Sequence, residues 1–142
     1  MDKRSRVIIR FIINVCSRLA LFMGAVMLVP AFLDFHHKNP DWLVFLESCL
    51  VVCMLSLLMF LATRGQRVRF CARFGFLLTV SLWVTAIIIG ALPLYFSHQG
   101  IAFSHAIFES TSGVTTTGAT VLVGLDHFPK GLLLWRSFLC FL

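Results

Sequence analysis

Four apolar stretches separated by short polar segments run along the chain, and the first three are long enough to cross a bilayer. Phe11 to Leu33 is the first, with Asn14, Ser17 and Arg18 near its start. Trp42 to Ala62 follows with one charge, Glu47, and Phe74 to Phe96 has none. About 20 apolar residues of helix cover the roughly 30 Å hydrocarbon core, and Arg18 can snorkel toward the headgroups without vetoing its span. Pro30 and Pro93 fall late in their spans, where neighbouring groups can satisfy the freed carbonyls. The first span is expected to stay as an anchor, because no small-residue cleavage site follows in Asp34 to His37. The fourth stretch, Leu132 to Leu142, makes only about 16 Å of helix, roughly half a bilayer. The chain is therefore expected to stop inside a span and to be incomplete. The pattern predicts an all-α integral membrane protein. A transmembrane helix pair occupies residues 1–63, and one helix–loop–helix repeat, cut short in its second helix, occupies 64–142.

Composition fixes the class. Hydrophobic residues make up 59% and charged residues 13%, with a mean hydropathy of +0.94, against about 45–50% and about 25% in soluble domains. The net charge of +6 would suit nucleic acid if it formed one patch. Instead the basic residues gather at Lys3, Arg4, Arg6, Arg10 and Arg18, then at Arg64, Arg67, Arg69 and Arg73. Both groups flank apolar spans, as the positive-inside rule requires, so no nucleic-acid partner is expected. The N-terminus and the 63–73 loop are then cytoplasmic, and the 34–41 loop and the 97–130 region external. His36, His37, His98, His105 and His127 all fall outside, none at the i, i+4 spacing of helical zinc ligands, so they are expected to be loop residues. Cys49 and Cys53 share one helix face and are expected to pack there, as are Cys16, Cys71 and Cys140 in or beside their spans. Trp42 and Trp135 are candidates for the interfacial belt.

Between the third and fourth stretches, Glu109 to Thr120 holds seven hydroxyl residues and two glycines. Ile101 to Ser112 predicts a helix of about 18 Å that enters the membrane halfway. Gly113 is expected to break it, Val114 to Thr117 to run extended, and Gly118 to supply a dihedral other residues avoid. Non-helical backbone at membrane depth is tolerated only where it is buried or lines a water-filled cavity, which makes this a re-entrant pore loop. A helix C-terminus aimed at the membrane centre favours a cation, and successive carbonyls can replace the water around a dehydrated potassium ion. Among Thr115, Thr116, Thr117, Gly118 and Ala119, a side chain at position 118 is expected to obstruct such a carbonyl arrangement. Glu109, Ser112, Gly113 and Arg136 are candidate supports. Glu109 and Arg136 are expected to pair and brace the loop, since an unpaired charge within a membrane is costly, in preference to Glu109 drawing cations at an external vestibule. The spacing Gly113-x4-Gly118-Ala119-Thr120 imitates a nucleotide-binding loop but has Ala119 in place of the lysine. No span carries a paired aspartate, a Ser/His dyad or a metal-ligand set, so neither an enzyme nor a cofactor is expected, only potassium as the transported ion.

Three segments in order carry a family resemblance: Gly90-Ala-Leu-Pro93-Leu, Ala106 through Leu122, and Leu134-Trp135-Arg136-Ser137. They resemble the first pore repeat of the Trk/Ktr/HKT potassium-uptake proteins, most of all the bacterial Trk-type membrane subunit, whose extra N-terminal helix pair residues 1–63 resemble. The resemblance implies that Thr115 to Ala119 form one quarter of a selectivity filter with Gly118 as its key glycine. It further implies four helix–loop–helix units in one chain, a homodimer embedded in lipid in the inner membrane, and a cytosolic nucleotide-binding regulatory subunit. With a single filter strand, these residues alone are expected not to transport. A non-transporting truncated protein, either a gene relic or an assembly subunit, is the alternative.

Overall fold

The computed structural model of the chain describes residues 3–64, 72–125 and 128–141, with the side chains of residues 3–6, 72 and 73 outside the description. Arg67, Arg69, Cys71, Asp126 and His127 therefore lie outside the described residues, as do the side chains of Lys3, Arg4, Arg6 and Arg73. The described residues are helical and loop, without a strand. In chain order the helices are α1 (Lys3–Val26), α2 (Leu28–His36), α3 (Trp42–Ala62), α4 (Ala72–Phe96), α5 (Phe103–Val114) and α6 (Lys130–Phe141).

Helices α1 and α2 act as one span, Val7–His36, with mean hydropathy 2.0. Met27 between them keeps a right-handed backbone (φ −59°, ψ −20°), and the bonds from Met27 N to Met23 O and from Ala31 N to Met27 O persist. Pro30 has no N–H to give to the Val26 carbonyl, and this is where the helix is interrupted. Trp42–Ala62 and Phe74–Phe96 are also long and apolar enough to cross a membrane, at mean hydropathies of 2.5 and 2.2. The chain is a multi-pass membrane protein.

Packing follows membrane rather than aqueous logic. On α3 the buried face holds Ser48, Cys49, Val52 and Ser56, while Leu50, Met54 and Leu58 point out. Small residues let backbones approach where lipid gives apolar contact no advantage. Gly24 of α1 illustrates it: an added Cβ would lie 2.7 Å from Cys53 Sγ. Met23, Met27, Phe45, Leu94, Leu132, Trp135 and Leu139 form the buried centre.

Trp135 corrects an expectation. It is 1% exposed, its ring meets Phe45 edge-on, and its Nε1 donates to Gly90 O at 2.9 Å. The indole N–H found a carbonyl inside the protein, so this tryptophan locks α6 to α4 instead of sitting in an interfacial belt.

Two loop ends meet at one pole of the molecule. His98 Nδ1 lies 2.5 Å from Asp41 Oδ1, and Gly131 N donates to Asp34 Oδ1 at 2.8 Å. The 34–41 loop, the end of α4 and the start of α6 thus share one side.

Candidate pore loop

Helix α5 is an inside-out amphipath. Its buried residues are Ala106, Glu109, Ser110, Ser112 and Gly113, whereas Phe103 and Phe108 are 61% and 43% exposed. Polar groups facing protein and aromatics facing outward suit a helix surrounded by lipid. Twelve residues make about 18 Å, half a bilayer. Ser110 Oγ donates to Ile87 O of α4 at 2.7 Å, at a point where Gly90 has no room for a side chain: its Cβ would lie 2.5 Å from Ser110 Oγ and 2.8 Å from Leu139 Cδ2.

The helix ends later than its sequence suggests. It runs to Val114, and Gly113 lies inside it rather than breaking it. Thr115 N still reaches Thr111 O at 2.9 Å, so the ladder passes through the glycine. Gly113 serves contact instead: an added Cβ would stand 2.8 Å from Leu139 Cβ, so α6 can approach only because that hydrogen is there.

Termination comes from Thr116, whose φ is +55°. Thr117 N bonds Ser112 O at 2.9 Å and Thr116 N bonds Gly113 O at 2.8 Å. This is the Schellman pattern, normally closed by glycine in the left-handed position. The threonines are therefore a capping turn, not the extended run expected of them. Hydroxyls hold it: Thr115 Oγ1 donates to Thr111 O at 2.7 Å and lies 2.8 Å from Thr117 Oγ1. Gly118 follows with φ +74° and nothing within 4 Å of where its Cβ would be. In this chain its constraint is backbone hand, not space. Left-handed residues thus stand at 116 and 118 with Thr117 between them, and the N–H groups of Thr117 and Gly118 both turn back to Ser112 O.

Behind the loop stands a buried carboxylate. Glu109 Oε1 accepts from Thr120 Oγ1 at 2.6 Å and from Val121 N at 2.8 Å. Its Oε2 lies 2.9 Å from Arg136 Nη2, the carboxylate side chain 1% and the guanidinium side chain 21% exposed. Ser112 Oγ donates to Ala119 O at 2.6 Å. Two residues of α5 thus grip the far limb of the loop, and Arg136 of α6 pairs with one of them; beside them lies a cavity of about 250 Å³ lined by Glu109, Ser112, Gly118, Arg136 and Ser137 among others. The other face, Thr116 to Val121, is exposed.

Two buried acids escaped the sequence reading. Asp34 is wholly buried and Asp41 is 1% exposed. Asp34 caps the N-terminus of α6 from another helix, 97 residues away in sequence, and no local spacing announces such a partner. Its approach requires Gly131, since a Cβ there would overlap the carboxylate.

Comparison with known proteins matches this architecture. Residues 42–142 fit the family TrkH, described as a cation transport protein. The chain belongs to the TrkH family. Its relatives include the Trk system potassium uptake protein TrkH of Escherichia coli K12, 31% identical over 131 residues, 92% of this chain and 27% of that protein. TrkG of the same organism is 29% identical over 135 residues, covering 94% and 28%. The crystal structure of the potassium transporter TrkH from Vibrio parahaemolyticus superimposes with a TM-score of 0.87 at 32% identity, over 92% of this chain and 28% of that one. The chain thus spans about a quarter of the length of these family members.

Proposed function

We propose that this chain supplies the N-terminal helix pair and one pore repeat of a potassium-uptake protein, with Thr115 to Ala119 contributing one strand of its selectivity filter. The observation that carries the reading is the loop's asymmetry. Its back is held by Ser112 and by Glu109, which Arg136 pairs, while its front, Thr116 to Val121, is exposed. A rigid back and an open front suit a wall facing other walls across an ion path. The protein supplies coordination and no covalent chemistry, and potassium is cargo, not a cofactor. The N-terminus and residues 64–73 face the cytoplasm of a cell whose inner membrane holds the protein. Homodimerisation and a cytosolic nucleotide-binding regulatory subunit complete the proposal.

The test uses the full-length natural protein in bacteria lacking other potassium uptake, with rubidium influx measured against sodium. Gly118→Ser is expected to reach the membrane and to shift the rubidium-to-sodium preference severalfold. An unchanged preference removes Gly118 from the filter. Residues 1–142 expressed alone are expected to give no saturable rubidium influx, because one strand approaches an ion from one side only.

A further inference from the structure

At the end of the bundle opposite Asp34 and Asp41, two arginines bracket one aromatic ring. Arg18 of α1 stands with its guanidinium carbon 5.5 Å from the Phe60 ring centroid, and Arg64, just beyond α3, stands at 5.1 Å. Asn14 Nδ2 donates to Thr63 Oγ1 at 3.1 Å beside them. Together with Phe11 and Val15 these groups line a recess of about 250 Å³. Neither arginine has a carboxylate partner among the described residues. The sequence gives a reason: no Asp or Glu occurs from Lys3 to Leu33 or from Ser48 to Phe108.

Two like charges held toward one ring repel each other, and at the edge of an apolar span they are poorly hydrated. Cation–π contact offsets part of that cost but leaves both charges without a counterion. Guanidinium forks match phosphate oxygens two at a time. Helical spacing sets Phe22 one turn beyond Arg18, and Leu61 and Leu57 one and two turns before Arg64. Phe22 is 59% exposed, Leu57 48% and Leu61 50%. A basic recess at the membrane edge with bare apolar surface inward of it has the two-part chemistry of a phospholipid.

We propose that Arg18 and Arg64 form a binding site for the phosphate of an anionic phospholipid, in the leaflet at which α1 begins, with its acyl chains against Phe22, Leu57 and Leu61. The site lies apart from the pore loop and does not depend on the ion-transport reading. It is a specific lipid position, distinct from the generic attraction of the other arginines.

Native mass spectrometry of the full-length protein, delipidated and titrated with phosphatidylglycerol or phosphatidylcholine, tests it. Phosphatidylglycerol is expected to bind roughly tenfold more tightly. Arg18→Gln/Arg64→Gln should abolish that preference, while Arg10→Gln, an exposed arginine on the same helix, should keep it. Melting in detergent without lipid shows whether the double variant is folded; if it is not, Arg18→Gln and Arg64→Gln are titrated singly, each expected to lose severalfold. Equal binding of the two lipids, or equal loss in the Arg10 variant, overturns the site. Displacement of phosphatidylglycerol by millimolar inorganic phosphate would also overturn it, by showing that the recess takes free phosphate.

Discussion

Thr116 occupies a conformation that a β-branched residue seldom accepts, at about 1–2 kcal/mol. Thr116→Gly should therefore raise the stability of the full-length protein by about 1 kcal/mol, read as a higher melting temperature in detergent. Gly118→Ala should lower it by a similar amount through its +74° φ despite the free space around it. Glu109→Gln keeps an acceptor for Thr120 and Val121 but leaves Arg136 facing a neutral partner. Because that guanidinium retains some exposure, the loss should be about 3 kcal/mol, the lower end for a broken buried pair; thermal unfolding measures it. The expense of unpaired charge in a membrane favoured the pairing of Glu109 with Arg136, although no spacing in the sequence announced the contact that brings them to 2.9 Å. Gly113 was misread because a glycine that breaks a helix and one that admits a neighbour look alike until Leu139 is in place. Asp34 and Asp41 gave no signal, since their partners, Gly131 and His98, are remote in sequence and unremarkable in type.

Among elements, hydropathy reached the spans to within a few residues, because lipid demands a fixed length of apolar helix. It missed the start of α1, where helix continues into the basic segment at Lys3, since charge does not itself end a helix. Helix α5 lies two residues later than expected, at Phe103–Val114, because its end is set by the Thr116 cap rather than by Gly113. α6 depends on two foreign contacts, the Asp34 cap and the Trp135 bond to Gly90. Asp34→Ala removes one of them and should cost about 1–2 kcal/mol. Asp34→Asn retains an acceptor and should recover most of that, a difference that urea or thermal unfolding in detergent resolves.

For the whole molecule, the contacts place the 34–41 loop beside residues 98 and 131, so one labelling result fixes both. In a cysteine-free background of the full-length protein, Gln99→Cys should react with an impermeant maleimide added to intact cells and Arg67→Cys should not. Reaction at position 67 would invert the proposed topology. The membrane class and the three apolar spans were legible in one dimension; the break between α1 and α2 and the seam between residues 34–41 and the start of α6 were not, the latter because it is built from close approach rather than pattern. That seam constrains ancestry as well as shape. Gly131 is obligatory only while Asp34 fills the space beside it, so the two positions are epistatic. Gly131→Ala should sharply reduce the amount of protein in the membrane, yet the same change should be nearly silent once Asp34→Ala has come first. Of the two mutational routes to an alanine pair, only the one that surrenders the acid before the glycine passes through a folded intermediate.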